Sequence, residues 1–112
     1  GVFDVDGAVT TLSVTDTDDI DVAAVTTSGA LSITAGGAIM DSGTIIAGGA
    51  TTISNAGNTV ILDEAANDFG TIGLTGTTVT LVDTDDIDLS ASTITAGFTL
   101  TAGGAITDSG VV

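Results

Sequence analysis

The chain has 112 residues and a formal net charge of −15, with no Lys, Arg, His, Cys or Pro. No carboxylate can meet a side-chain cation, no disulfide or thiolate metal site can form, and nothing is available to neutralise the phosphates of nucleic acid or an anionic membrane. No apolar run approaches the roughly 20 residues of a membrane helix, so membrane insertion is not expected.

High charge with few aromatics is also a signature of disorder. The 43% of hydrophobic residues stands against it, as does the abundance of Val, Ile and Thr, which favour strands. All carboxylates but Glu64 are aspartate, and 16 glycines supply turns.

In chain order, apolar alternation runs around Phe3 and Val5 and again from Val9 to Val14. The acidic stretch Thr15-Asp16-Thr17-Asp18-Asp19-Ile20-Asp21 follows. Short strands are then predicted at Ile20 to Val25, Leu31 to Thr34, Ala38 to Met40, Thr44 to Ile46, Thr51 to Ser54 and Thr59 to Leu62, each bounded by Gly, Asp, Ser or Asn. From there the order begins again. Val82-Asp83-Thr84-Asp85-Asp86-Ile87-Asp88 repeats the acidic stretch 67 residues on, and Thr34-Ala35-Gly36-Gly37-Ala38-Ile39 returns as Thr101-Ala102-Gly103-Gly104-Ala105-Ile106.

A repeat of this kind points to an array whose coils stack on one another. Val14, Ile39, Val60, Leu81 and Ile106 form one apolar column at intervals of 25, 21, 21 and 25 residues. Val5, Ile33, Ile53, Leu74 and Leu100 form a second, and Ile20, Ile45, Ala66, Ile87 and Val112 a third. The expected architecture is therefore all-β: a β-solenoid of about five coils of 21–25 residues with three strand faces, strands paired in parallel, and a 67-residue repeat spanning three coils. The whole chain, 1–112, reads as one segment of a longer array, with copies aligned over 12–45 and 79–112. Its narrow core suits aliphatic residues, which places Phe3, Phe69 and Phe98 at ends or faces.

Two phrases, Leu31-Ser-Ile-Thr-Ala-Gly-Gly-Ala-Ile-Met-Asp-Ser-Gly43 and Phe98-Thr-Leu-Thr-Ala-Gly-Gly-Ala-Ile-Thr-Asp-Ser-Gly110, resemble the repeats of filamentous-haemagglutinin-type adhesins and of giant bacterial β-strand repeat surface proteins. The resemblance implies a right-handed parallel β-helix, export to the cell surface or beyond, and a structural role in adhesion, a fibre or a biofilm matrix. The implied partners are neighbouring repeats or copies of the chain end to end.

Catalysis is not expected, since no His, Lys, Arg, Tyr or Cys is present to act beside the aspartates. Metal binding is the sharper possibility. The column alignment places Asp16, Asp41, Asp83 and Asp108 at one corner, with Asp63 one place later in the middle coil. Carboxylates stacked about 4.8 Å apart would repel, and a hard cation such as Ca²⁺ would offset this. The candidate ligands are Asp16, Asp18 and Asp19 with Asp41, and Asp83, Asp85 and Asp86 with Asp63 and Asp108. The competing reading is a solvated corner whose aspartates bond to turn backbone. The pairs Gly36-Gly37, Gly48-Gly49 and Gly103-Gly104 read as corner residues. Outward Thr rows leave a second functional reading, a module binding polysaccharide or ice.

Overall fold

The computed structural model describes residues 1–55 and 57–112. Among them lie thirteen strands and no helix: β1 (Val2–Val9), β2 (Leu12–Asp16), β3 (Ile20–Thr27), β4 (Leu31–Ala35), β5 (Ile39–Asp41), β6 (Ile45–Ser54), β7 (Val60–Leu62), β8 (Asp68–Gly76), β9 (Val79–Asp83), β10 (Ile87–Leu89), β11 (Thr93–Ile94), β12 (Phe98–Ala102) and β13 (Ile106–Asp108). They pair in parallel, each with strands about one coil away. The chain is a β-solenoid of about six turns.

Period-two alternation makes the strands and aims their side chains. In β4, Leu31, Ile33 and Ala35 are buried while Ser32 and Thr34 face outward. One coil cannot enclose such residues alone, so the coils stack in three ladders. The first runs through β2, β4, the second half of β6, the second half of β8, and β11. The second runs from the start of β1 through the start of β3 to β5, β7, β9 and β12. The third joins the later parts of β1 and β3 to the starts of β6 and β8. Above it, β10 and then β13 stack on Thr71 and Ile72, at the corner between the third and first ladders.

Coil length differs from the expectation. Leu12 lies opposite Leu31, Ile20 opposite Ile39, Val79 opposite Phe98 and Ile87 opposite Ile106, each a step of 19 residues. The longest step, 22, joins Ile46 to Asp68. The 21–25-residue coils, five in number, came from columns that mix faces. Val14 stacks with Ile33, and Ile39 lies six residues further on, round the next corner, where it stacks with Ile20 and Val60. Leu81 meets Leu62 and Leu100, while Ile106 meets Ile87. Of the second column only Ile33, Ile53 and Leu74 hold together. The third column also separates, Ile45 pairing with Val25 and Ile20 with Ile39.

The same shift changes the meaning of the 67-residue repeat. β2 and β4 lie on the first ladder, but their sequence copies β9 and β12 lie on the second. The start of β3 and β5 lie on the second, but their copies β10 and β13 stack at the next corner round. One repeat therefore spans three coils plus one face, not three coils. Within each copy the stacking is conserved residue for residue; between copies it has turned by a face.

The core runs through the ladders as Ile20, Ile33, Ile39, Ile53, Val60, Leu74 and their neighbours, all nearly inaccessible. Each such side chain contributes about 1.5–3 kcal/mol relative to an exposed one. Phe69 corrects the expectation for aromatics: it is fully buried, whereas Phe3 and Phe98 pack half-exposed against the ends of the core. The long step between Ile46 and Asp68 brings it into the core near the start of β8.

Candidate metal centre

The two acidic stretches have a structural partner one coil later. Gly36 and Gly37 donate their N–H groups to the carbonyls of Asp16 and Asp18, at 3.0 Å each, and Gly103 and Gly104 do the same to Asp83 and Asp85 at 3.0 and 2.9 Å. Side chains complete the turn. The carboxylate of Asp16 accepts from the Asp18 N–H and that of Asp83 from the Asp85 N–H, both at 2.9 Å. Asp19 accepts from the Ala38 N–H of the next coil at 2.8 Å, and Asp86 from Ala105 at 2.7 Å.

This contact explains why glycine occupies the pairs. A Cβ at Gly36 or Gly103 would overlap the carbonyl oxygen of Thr17 or Thr84, and one at Gly37 or Gly104 would overlap the carboxylate of Asp19 or Asp86. The acidic and glycine-rich phrases are two halves of one stacked corner. Asp16, Asp19, Asp83 and Asp86 thus fit the turn-bonding reading of the aspartates.

The acidic ladder is not formed. In the strand register Asp16 stands opposite Ala35, Asp41 opposite Val22, Asp83 opposite Ala102 and Asp108 opposite Leu89, so these carboxylates are spaced by apolar residues. That arrangement relieves the repulsion which the ladder would have imposed. One step of it survives in a different form: the Asp63 N–H donates to the Asp41 carboxylate at 3.0 Å.

Asp41 is buried and accepts further bonds from the Asn67 side-chain amide at 2.5 Å and, more weakly, from the Glu64 N–H at 3.5 Å. Burial raises its pKa above the ordinary 3.8; the bonds from Asn67, Asp63 and Glu64 oppose the rise, and the Asp63 charge adds to it. Asn67, fully buried, accepts from the Ile45 N–H through its Oδ1 at 2.8 Å. These side chains close the long coil by bonding the backbone of Asp63 and Glu64, which lie outside the strands, and the N–H of Ile45 at the start of β6.

The second buried carboxylate, Asp83, is 2% exposed and accepts from the Phe69 N–H at 2.6 Å as well as from Asp85. Its pKa is raised, first by burial and then by the charges of Asp85 and Asp68, against the two backbone bonds. Asp68, Asp83 and Asp85 each bring a carboxylate oxygen within 4.8 Å of the other two. Among the described residues this is the one group of three acids so close. Three carboxylates suit a hard cation such as Ca²⁺, and each Asp83 oxygen, accepting one N–H bond, keeps a second lone pair for it.

The structure thus gathers Asp83 and Asp85 from the nine predicted residues and adds Asp68, which the sequence reading missed. Asp41 sits in its own network with Asp63, while Asp16 and Asp19 serve the first corner and Asp86 the second; Asp18 and Asp108 are exposed. Asp68 comes to Asp83 because Phe69 bonds to that carboxylate, a contact between coils that no local motif announces.

A family model described as "Repeats of unknown function (DUF5649)" matches residues 7–75 and 76–112. The chain belongs to this family. The border between its two units falls between Thr75 and Gly76, at the end of β8, and strand pairing continues across it, with β7 of the first unit pairing β9 of the second. No curated protein and no solved structure matches the chain.

Proposed function

We propose that the chain is a structural repeat segment of an exported bacterial surface fibre, filament or giant adhesin, acting as a stiff acidic rod outside the cell. The observation that supports it best is that strand pairing continues across the border between the two family units, Val60 and Leu62 lying opposite Val79 and Leu81, and Thr75 opposite Thr93. A fold of this kind lengthens by adding repeats and needs no further domain between them. The resemblance of the Leu31–Gly43 and Phe98–Gly110 phrases to adhesin repeats supplies the surface setting. High negative charge keeps such a rod soluble.

Measuring tandem repeats of the chain by electron microscopy or small-angle scattering tests the reading. Each added 67-residue repeat, at three coils and a face, lengthens the rod by about 16 Å at about 4.8 Å per coil. Particles that grow in width instead of length sink it.

A second reading, that a cation stabilises the rod, is favoured by the Asp68, Asp83 and Asp85 group. A Thr-lined binding face for polysaccharide or ice finds less support. On the first ladder the hydroxyl row Thr15, Thr34, Ser54, Thr75 and Thr93 runs unbroken, but its neighbour Ser13, Ser32, Thr52 is interrupted at Gly73, so no two-row array forms, and on the second ladder the row is taken by Asp21, Met40 and Ile61 before Thr80 and Thr99.

A further inference from the structure

The two copies of the repeat treat one carboxylate differently. In the second copy, hydroxyls of the next coil serve Asp88: Thr107 donates to its Oδ1 at 3.3 Å and Ser109 to its Oδ2 at 2.7 Å. Asp21 is the equivalent residue 67 positions earlier, and Met40 stands opposite it as Thr107 stands opposite Asp88. Methionine brings no hydroxyl. The Oδ1 of Asp21 is buried and has no hydrogen-bond partner among the described residues. A buried acceptor left without a donor is costly, most of all when it carries charge.

The same replacement changes the surface. Asp21, Met40 and Ile61 follow one another along the second ladder, one per coil, each facing outward between buried neighbours on its own strand. Met40 is 40% exposed and Ile61 partly so. Beyond Ile61 the row turns to the hydroxyls of Thr80 and Thr99. One stretch of the side of the rod thus sets a carboxylate short of a donor beside two apolar side chains.

We propose that this row is a docking site for a basic segment of another protein, which lays the aliphatic stem of a lysine or arginine over Met40 and Ile61 and sets its charged head on Asp21. Coils stand about 4.8 Å apart, within reach of such a stem. The cation has to come from a different protein, because this chain has no Lys, Arg or His; a second copy offers none and adds a charge of −15. Nucleic acid and anionic lipid bring the wrong charge, and a bare metal ion leaves Met40 and Ile61 uncovered. Asp19 and Asp63, both exposed, flank the row and give neighbouring basic residues their own anchors. The backbone of Met40 already pairs with the coils on both sides, so the partner binds through side chains and leaves the ladders intact.

Fluorescence anisotropy tests this with two labelled peptides of equal length and charge, one alternating lysine with valine and one alternating lysine with serine, each titrated with the 112-residue chain. Salt near 0.15 M screens attraction beyond about 8 Å, so that diffuse binding to an acidic rod is suppressed. The lysine–valine peptide is expected to bind the more tightly. Asp21→Asn should weaken it about tenfold, the factor that one hydrogen bond to a charged group commands. Met40→Thr, which restores the arrangement of the second copy, should weaken it as well, since it gives Asp21 a donor within the chain and removes an apolar contact. Asp108→Asn deletes the same charge at an exposed position away from the row and should leave binding unchanged. Circular dichroism checks that each variant is folded; Ile61→Thr, in the same row, replaces any that is not. The proposal is overturned if neither peptide binds, if Asp21→Asn binds as the wild type does, or if Asp108→Asn weakens binding equally, which would mean general attraction to the acidic surface. It is equally overturned if the lysine–serine peptide binds as tightly, or if sedimentation shows the chain pairing with itself through a contact that Met40→Thr abolishes.

Discussion

Asn67 donates its side-chain amide to the buried carboxylate of Asp41, 26 residues earlier, at 2.5 Å. Its carbonyl oxygen accepts from Ile45. The pair fastens the longest coil to the one beneath it. Asn67→Ala leaves the Ile45 N–H and the Asp41 carboxylate without this partner, and is expected to cost about 2–4 kcal/mol on the scale of about 1–3 kcal/mol per unsatisfied buried group. Asp41→Ala should cost a similar amount, and the double variant clearly less than the sum, because both changes break one network. Denaturant unfolding followed by circular dichroism measures all three; strict additivity would show that the two side chains are uncoupled.

Mild acid should stabilise this protein. Burial raises the pKa of Asp41 and Asp83 above the ordinary 3.8, so the folded state holds protons that the unfolded state has released. Their contribution is fully present below the unfolded value and is lost as pH rises through the folded one. Protonation also relieves the repulsion of fifteen uncompensated acids. The melting temperature is expected to be higher at pH 5 than at pH 7, measured in dilute solution because the isoelectric point is near 4.1. A lower melting temperature at pH 5 contradicts this.

The corner contacts predict an unusual penalty for alanine. Gly36→Ala drives a Cβ into the Thr17 carbonyl of the coil below, and backbone cannot swing aside as a side chain can. The expected loss is about 1–3 kcal/mol, as for other forced overpacking. Gly70→Ala, where a Cβ meets nothing within 4 Å, is the control. Equal melting temperatures for the two variants would remove the steric account of the glycine pair.

Calcium titration separates the two readings of the acidic residues. Heat of binding by calorimetry is expected for the wild type and should vanish in Asp68→Asn. Asp68 is chosen because Asp83 also bonds to Phe69 and Asp85, so that changing it would disturb the turn itself. If Asp68→Asn binds as the wild type does, the ion is elsewhere. A chelator that leaves the β-signal unchanged shows that the fold does not depend on one.

Phe69→Ala removes a fully buried ring from the interior and should cost about 3–5 kcal/mol. Phe3→Ala, at a half-buried end, should cost much less. Similar losses would place the two rings in equivalent surroundings.

Much of the site lay within reach of the sequence. Turn chemistry is local: aspartates bonding the backbone two residues on, and glycines where corners crowd, follow from the Asp-Thr-Asp-Asp and Ala-Gly-Gly-Ala phrases together. Asp68 was not within reach, since its approach to Asp83 depends on which coil lies over which. Asp41 was legible as an acidic residue near a corner, but its burial against Asn67 was not, because that contact closes a long coil whose register local sequence does not set.

By itself the sequence determined the strands, their inward and outward sides, and the repeat, because period-two alternation and turn residues act over a few neighbours. Only the tertiary structure decided the face on which each strand lies. All three faces are lined by Ile, Val, Leu and Ala, so a column read across a corner satisfies the apolar pattern as well as the true one. Val14 with Ile39 was such a column. The backbone ladder breaks that degeneracy, seating Val14 on Ile33 and turning each repeat by one face relative to the last.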